Sequence, residues 1–184
     1  MGGAGADLSL PRAPVETERL ILEPIAPDHA EGIYEATAAS RKELLPWMPW
    51  AQAPTLEGTR AMAAQGHDGW EKRTHFHFAV IERETGLVLG VAGLNAEPAG
   101  APELHYWMRT DHTRRGLTTE ACTALIGWAR KDLRAKTIVL WAGRDNAPSR
   151  RVAEKLGFTH IGALDWKPEG GQGTFDAESY ELRG

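Results

Sequence analysis

The sequence predicts a mixed α/β fold, a layer of helices packed on strands most of which share one sheet. Three observations carry that reading. Apolar residues recur at helical spacing in several segments, and from His75 the period changes to two. Strand and helix patterns interleave in the order β-α-α-β-β-β-α-β-α-β-β, with no internal repeat and no long linker. Hydrophobic residues make up 42% and charged residues 25% of 184, enough to build a core of useful size.

The elements follow in order. Glu16–Pro24 (ETERLILEP) reads as a first strand, with Leu20 and Leu22 on one face and Arg19, Ile21 and Glu23 on the other. A helix begins in PDHAEGIYEATA, where Asp28 is placed to cap and Glu31 stands three residues on, as in a capping box. Proline and tryptophan interrupt in Leu44–Pro54 (LLPWMPWAQAP), and Thr55 starts a second helix that runs toward Trp70. HFHFAVIE then puts Phe76, Phe78 and Val80 on one side and His75, His77, Ala79 and Ile81 on the other. ETG is a turn, and LVLGVAGLN completes a hairpin. Glu103–Arg109 (ELHYWMR) is the next strand. After RRGL, Ala121, Leu125, Trp128 and Ala129 recur at helical spacing. Lys136–Ala142 is a strand, a short helix runs from Ala147 to a stop at Gly157, and THIGAL and TFDAESYEL close the chain as strands.

Composition excludes several classes. A formal charge of -4 leaves no global basic field to recruit nucleic acid. The single cysteine, Cys122, allows neither an intramolecular disulfide nor a thiolate zinc site; it suits a cytoplasmic setting and reads as a buried small side chain. No apolar run reaches membrane-spanning length, and MGGAGADLSLPRAP lacks the pattern of a signal peptide. Residues 1–14 read as a flexible lead-in and 15–184 as one domain.

The chemistry concentrates in Arg114–Ala121 (RRGLTTEA). A strand, a short loop and a helix N-terminus form a recipe for binding phosphate, because the first helical turn presents unpaired N–H groups and the positive end of the dipole. Gly116 lets the backbone approach closely, Arg114 and Arg115 add charge, and Thr118 and Thr119 add hydroxyls. The same eight residues also describe a solvated loop before an ordinary threonine-capped helix.

This region resembles the GNAT acyltransferases, in particular their RimJ/RimL-type branch. That family's loop has the pattern Q/R-x-x-G-x-G/A; here Thr113-Arg114-Arg115-Gly116-Leu117-Thr118 keeps the central glycine and has threonine at the first and last positions. ETERLILEPI, SRKELLPWMPW, ELHYWM and NAPSRRVAEKLGF are similar to the branch as well, in the family's order, across roughly residues 16–182. The resemblance implies a mostly antiparallel central sheet flanked by helices, with a bulged, splayed strand pair forming an acyl-CoA cleft. It also implies an acetyl-CoA-dependent N-acetyltransferase that needs no metal. The backbone of Trp107, Met108 and Arg109 would pair with pantetheine, with an N–H near Trp107 at the thioester oxygen. Arg114, Arg115, Gly116, Leu117, Thr118 and Thr119 would hold the pyrophosphate, and Asn146 would reach the pantetheine arm.

Acyl transfer needs a proton taken from the amine and a stabilised thiolate. Glu103 matches the family's acidic position and is the candidate base, acting through water; a surface carboxylate at a strand end is the plain alternative. Ser149 is the candidate near the thiolate, and a local backbone hydrogen-bonder is its alternative. Trp47 and Trp50, beside Pro46 and Pro49, are candidates for an aromatic wall over the acceptor, whereas Trp128 and Trp141 read as core. His75 and His77 share a strand face and are further candidates for substrate contact; no third ligand at suitable spacing accompanies them as a metal site. Leu44–Pro54 and Asp165–Thr174 are the irregular segments that would shape the acceptor site. Three readings follow: an acetyltransferase of a primary amine, either a protein or peptide N-terminus or a small amine; a non-catalytic acyl-CoA-binding module; and, last, a nucleic-acid binder using RRGL and SRR. A homodimer is a family-level expectation.

Overall fold

A computed structural model of the chain describes residues 12–96, 100–166 and 175–184. Its strands are β1 (Val15–Glu16), β2 (Leu20–Pro24), β3 (His75–Glu82), β4 (Val88–Asn95), β5 (Glu103–Met108), β6 (Thr137–Gly143), β7 (Thr159–Trp166) and β8 (Phe175–Arg183). The helices are α1 (Ala30–Leu44), α2 (Leu56–Lys72), α3 (Leu117–Asp132) and α4 (Ala147–Lys155). The strands form one eight-stranded sheet in the order β1-β2-β3-β4-β5-β6-β8-β7. Every neighbouring pair is antiparallel except β5 and β6, which run parallel and are bridged only at Glu103 and Val139. The expected splayed pair is thus β5 and β6. The expected bulge lies one strand away: β4 pairs residue for residue with β5, and the register slips between β3 and β4, at Val80/Ile81.

Two cores fill the two faces of the sheet. One gathers Ile25, Ile33, Ala79, Val91 and Trp107 under α1. The helix faces it with Ala30, Ile33, Ala36, Thr37, Ser40 and Leu44, a stripe at helical spacing. The other lies under α3 and includes Leu20, Leu22, Phe76, Phe78, Leu104, Leu125 and Trp128. At its centre the Trp128 ring stands 5.5 Å from Trp70 and 5.4 Å from both Phe76 and Phe78. Such tilted aromatic contacts add to the gain from area burial. Trp70 joins this cluster from α2, and its indole N–H donates to the His77 carbonyl (3.1 Å), which also accepts from the Ile25 N–H (2.9 Å).

The local signals hold in most places and fail in two. Thr55 caps α2 by accepting from the Gly58 N–H (3.0 Å), and Gly157 stops α4 with φ of 81°. The single first strand is instead a two-strand ribbon, turned at Thr17 whose N–H donates to the Leu20 carbonyl (2.9 Å). Asp28 does not cap α1. A short 3₁₀ turn, Pro27–His29, leads into the helix, and His29 Nδ1 accepts from the Ala26 N–H (3.0 Å) while its Nε2 donates to Glu23 (2.9 Å). Residues 1–11 of the expected lead-in lie outside the described residues; Arg12 is docked on α2, reaching the His67 ring (2.6 Å) and the Ile25 carbonyl (3.2 Å). Among the described residues no helix is long and apolar enough to cross a membrane.

Trp128→Ala should destabilise the protein by about 3–5 kcal/mol, as expected for emptying a packed aromatic site. Urea unfolding monitored by circular dichroism measures this, and a change within 1 kcal/mol, roughly a surface-substitution effect, would remove the cluster from the centre of the core.

Candidate active site

The divergence of β5 from β6 sets the site. Met108 stands opposite Gly90, and the Arg109 N–H donates to the Leu89 carbonyl (2.6 Å). In an antiparallel ladder that places Met108's own N–H and C=O on the far edge of β5, facing β6, and by alternation those of Tyr106 and Leu104. The Pro102 carbonyl, accepting from the Val139 N–H (3.0 Å), faces the same way. Trp107 belongs to the opposite set, turned toward β4. A Cβ on Gly90 would lie 2.2 Å from the Trp107 carbonyl oxygen, so only glycine admits that approach. The amide that can meet a ligand between the strands is therefore that of Met108 or Tyr106, and not that of Trp107.

After β5 the chain forms a short 3₁₀ turn, Thr110–His112, pinned to α1 by the Thr110 N–H donating to Ser40 Oγ (3.0 Å). Arg114 (φ 64°) and Gly116 (φ 78°) are left-handed, and Gly116 occupies the N-cap of α3 without any side-chain cap hydrogen bond. The Gly116 carbonyl accepts from Glu120 (3.0 Å), so the N–H groups of Leu117, Thr118 and Thr119 precede the first intrahelical bond and point out of the helix end.

The loop arginines are committed unequally. Arg115 pairs with the buried Glu82 (2.8 Å), and Arg109 with Asp111 (2.7 Å). Arg114 forms no ion pair with a described residue. Arg19, from the β1–β2 turn, donates to the Arg115 carbonyl (2.9 Å) and pairs with Glu120, which also accepts from Thr17 Oγ1 (2.6 Å) and the Arg19 N–H (3.0 Å). Burial alone would raise the Glu120 carboxyl; these donors outweigh it and hold it below its ordinary value. Glu82 is likewise lowered, first by the Thr85 hydroxyl and then, against the cost of burial, by Arg115. A concavity of about 620 Å³ lies beside this network, lined by residues that include Thr17, Gly116, Thr119 and Lys155.

Across the cleft, Asn146 Oδ1 accepts from the Ser149 N–H (3.2 Å) as the cap of α4. Ser149 Oγ shares a hydrogen bond of 2.9 Å with the Tyr106 hydroxyl. Burial pushes the Tyr106 phenol above its ordinary value, so it stays protonated. The Cys122 thiol is buried and raised by desolvation, which leaves it a core side chain.

On the other face of β5 sit Glu103, His105 and Trp107. Glu103 is 9% exposed, at the point where the strands part, and its Oε2 accepts from Asn95 Nδ2 (3.0 Å). Trp107 faces the Trp50 ring at 5.7 Å, while the Trp47 ring packs over Gly143 so closely that a Cβ there would stand 2.9 Å from it. The segment 45–55 thus touches both arms of the cleft, Trp50 on β5 and Trp47 on β6. Asp165–Thr174 falls mainly on residues 167–174, outside the described residues.

The two histidines of β3 part company. His75 turns to α2, its ring against Gly69 and its Nε2 donating to the Gln65 carbonyl (3.2 Å). His77 stays on the sheet, its ring 4.7 Å from His75 and 4.6 Å from His105, with Nε2 3.2 Å from Asn95 Oδ1. Burial lowers His77 to about 4, partly offset by the Asn95 bond; it lowers His105 well below its ordinary value. Both rings are neutral near pH 7. His105 Nε2 is buried without a hydrogen-bond partner among the described residues. Those residues contain no group of three or more His, Cys, Asp or Glu able to hold a metal. Arg19, Asn95 and Tyr106 are residues that reading the sequence missed, each meeting its partners only through the tertiary fold; His105 comes from a different strand, β5, to meet His77.

Comparison with known proteins agrees with this architecture. The Acetyltransferase (GNAT) domain family matches residues 19–159. A ribosomal-protein-serine acetyltransferase of Escherichia coli (strain K12) is 27% identical over 150 residues, covering 80% of this chain and 83% of that protein. Among solved structures, a microcin self-immunity acetyltransferase, MccE, in complex with acetyl-CoA and AMP superposes with a TM-score of 0.85 at 19% identity, over 96% of this chain and 99% of that one. A RimL ribosomal-protein α-N-acetyltransferase in complex with coenzyme A gives 0.81 at 20% identity, over 93% and 98%. At these identities the two structures establish the shared fold.

The neutral, buried His77 makes stability depend on pH. Above its ordinary value of 6.5 it is uncharged in both folded and unfolded chains and contributes no pH dependence. As pH falls from 6.5 toward 4 the unfolded chain takes up the proton first, so stability drops, by up to about 3 kcal/mol. Urea midpoints measured across that window should fall less steeply for His77→Gln than for the wild type; parallel curves would show that His77 titrates normally.

Proposed function

Because the chain belongs to the GNAT acetyltransferase family and is an N-acetyltransferase, we propose that it moves the acetyl group of acetyl-CoA directly onto a primary amine, most simply the α-amine of a protein or peptide N-terminus. The observation that carries the reading is the combination of a strand edge opened at Glu103/Val139 with an uncapped α3 N-terminus at the mouth of the same cleft. Backbone amides are suited to both parts of such a donor. The outward N–H and C=O groups of Tyr106 and Met108 match a pantetheine arm, and the N–H groups of Leu117–Thr119 match a pyrophosphate. Arg114 adds charge there, while Arg115 and Arg19 hold the loop in shape.

In this reading the Met108 amide polarises the thioester carbonyl and Glu103 accepts the amine proton through water. The Tyr106–Ser149 pair supplies a hydrogen bond to the departing thiolate. Trp47 and Trp50 wall the acceptor side. The ribosomal-protein acetyltransferase among the relatives supports an N-terminal acceptor. A small-molecule amine is the second reading, supported by the likeness to MccE, solved with acetyl-CoA and AMP. Incubation with acetyl-CoA and a panel of short peptides and small amines, followed by thiol release, separates them.

Two substitutions test the assignments. Gly116→Trp should abolish coenzyme A binding in calorimetry while the urea midpoint shows a folded protein; intact affinity would move the phosphate site elsewhere. Glu103→Gln should lower kcat by about 10²-fold or more, the usual worth of a general base, with little change in coenzyme A affinity. A rate equal to the wild type would take Glu103 out of the mechanism.

A further inference from the structure

Across β3, β4 and β5 the register sets His75, Asn95 and Glu103 in one row and His77, Gly93 and His105 in the next. Gly93 leaves the middle of the second row open: a Cβ there would stand 2.9 Å from His77 Cδ2. Over this gap the His77 ring sits between His75 and His105, and His75 is itself tied to α2 through Gln65. With its plane so confined, His77 directs Nε2 across the row to Asn95 Oδ1, while Asn95 Nδ2 donates to Glu103.

An amide in that position has two orientations, and its neighbours admit only one. A carboxylate accepts and does not donate, so Glu103 requires the NH₂ end of Asn95. That leaves Oδ1 facing His77, and the contact is attractive only where His77 carries its proton on Nε2. Reversing the amide would set its oxygen against the carboxylate, losing that hydrogen bond in a largely buried place, and would keep the His77 contact only with the imidazole proton moved to Nδ1. From this geometry we infer that Asn95, locked by the Nε2–H tautomer of His77, is a positioning residue for the Glu103 carboxylate. Nothing is transferred through the array; it fixes one carboxylate oxygen and the rotamer that goes with it. The proposal rests on Glu103 being the base.

Two measurements test it. Nitrogen NMR of the ¹⁵N-labelled histidines at neutral pH, which needs no acceptor, should find His77 as the neutral Nε2–H tautomer. The Nδ1–H tautomer would overturn the lock. Kinetics with the best acceptor of the panel should show Asn95→Leu and His77→Phe lowering kcat at least about tenfold, a fraction of the worth of a general base, with KM for acetyl-CoA unchanged. His77→Gln, which keeps an N–H donor, should recover most of the loss, and Asn95→Ala replaces Asn95→Leu if the latter is unfolded in urea titration. In the double variant Asn95→Leu with Glu103→Gln the rate should match Glu103→Gln alone, since residues acting through one another are not additive. Glu103→Gln slow with Asn95→Leu at wild-type rate would sink the positioning role and leave the base standing. Glu103→Gln at wild-type rate would sink the base reading first.

Discussion

The site depends on a ladder that stops. Strands β5 and β6 meet at Glu103 and Val139 and pair nowhere else, although both continue. Backbone polar groups withdrawn from water are almost always paired, so an open inner edge inside a sheet is a demand for a partner. On the β5 side that edge belongs to Tyr106 and Met108, because β4 takes the groups of the alternate residues. An extended amide-bearing chain meets the demand as a strand would, and the parting point puts Glu103 at the narrow end of the opening. In the proposed reading, backbone register, rather than any single side chain, decides where the thioester lies and which carboxylate stands beside it.

The mouth of the cleft is organised by acids placed near an expected anion, an arrangement that first looks unfavourable. Glu82 and Glu120 are each paired with an arginine and bonded by further donors, so their charges are compensated where they stand. What they achieve is geometric: Glu120 fastens the β1–β2 turn to the first turn of α3, and Glu82 holds Arg115 back along β3. The left-handed residues Arg114 and Gly116 persist because this frame over-determines them. In the proposed reading, anion binding is left to the helix N–H groups and Arg114, which makes no ion pair with a described residue.

Local patterns predicted the local facts well. Period-two alternation located β3, and helical spacing located the buried stripe of α3, because both are properties of a few adjacent residues. The end of α1 was harder to read: ATAASRKEL has few large apolar residues, and the helix there buries Ala36, Thr37 and Ser40. Capping by Asp28 was a sound local expectation that a proline-led 3₁₀ turn displaced, with His29 supplying the acceptor. The missing members of the site share a different property. Arg19 meets Glu120 across 101 positions and Tyr106 meets Ser149 across 43, and no spacing rule spans such separations. Gly93 reads in sequence only as a strand glycine; in the fold a Cβ there would meet the Phe76 carbonyl at 2.6 Å and the His77 ring at 2.9 Å.

The histidine row also bears on how a carboxylate can serve as a base in this place. An imidazolium within a few ångströms would pair with Glu103 and make it a poorer proton acceptor, since opposite charges stabilise the ionised form. Burial removes that competitor: His77 and His105 are driven neutral by desolvation, with His75 further disfavouring charge on both and His77 on His105. The array can therefore orient Glu103 through Asn95 without neutralising it. A lysine or arginine at position 77 would supply the same N–H to Asn95 and bring a permanent charge with it. The need for a donor that is neutral, rigid and flat enough to lie over Gly93 accounts for histidine here better than the need for any titration near pH 7.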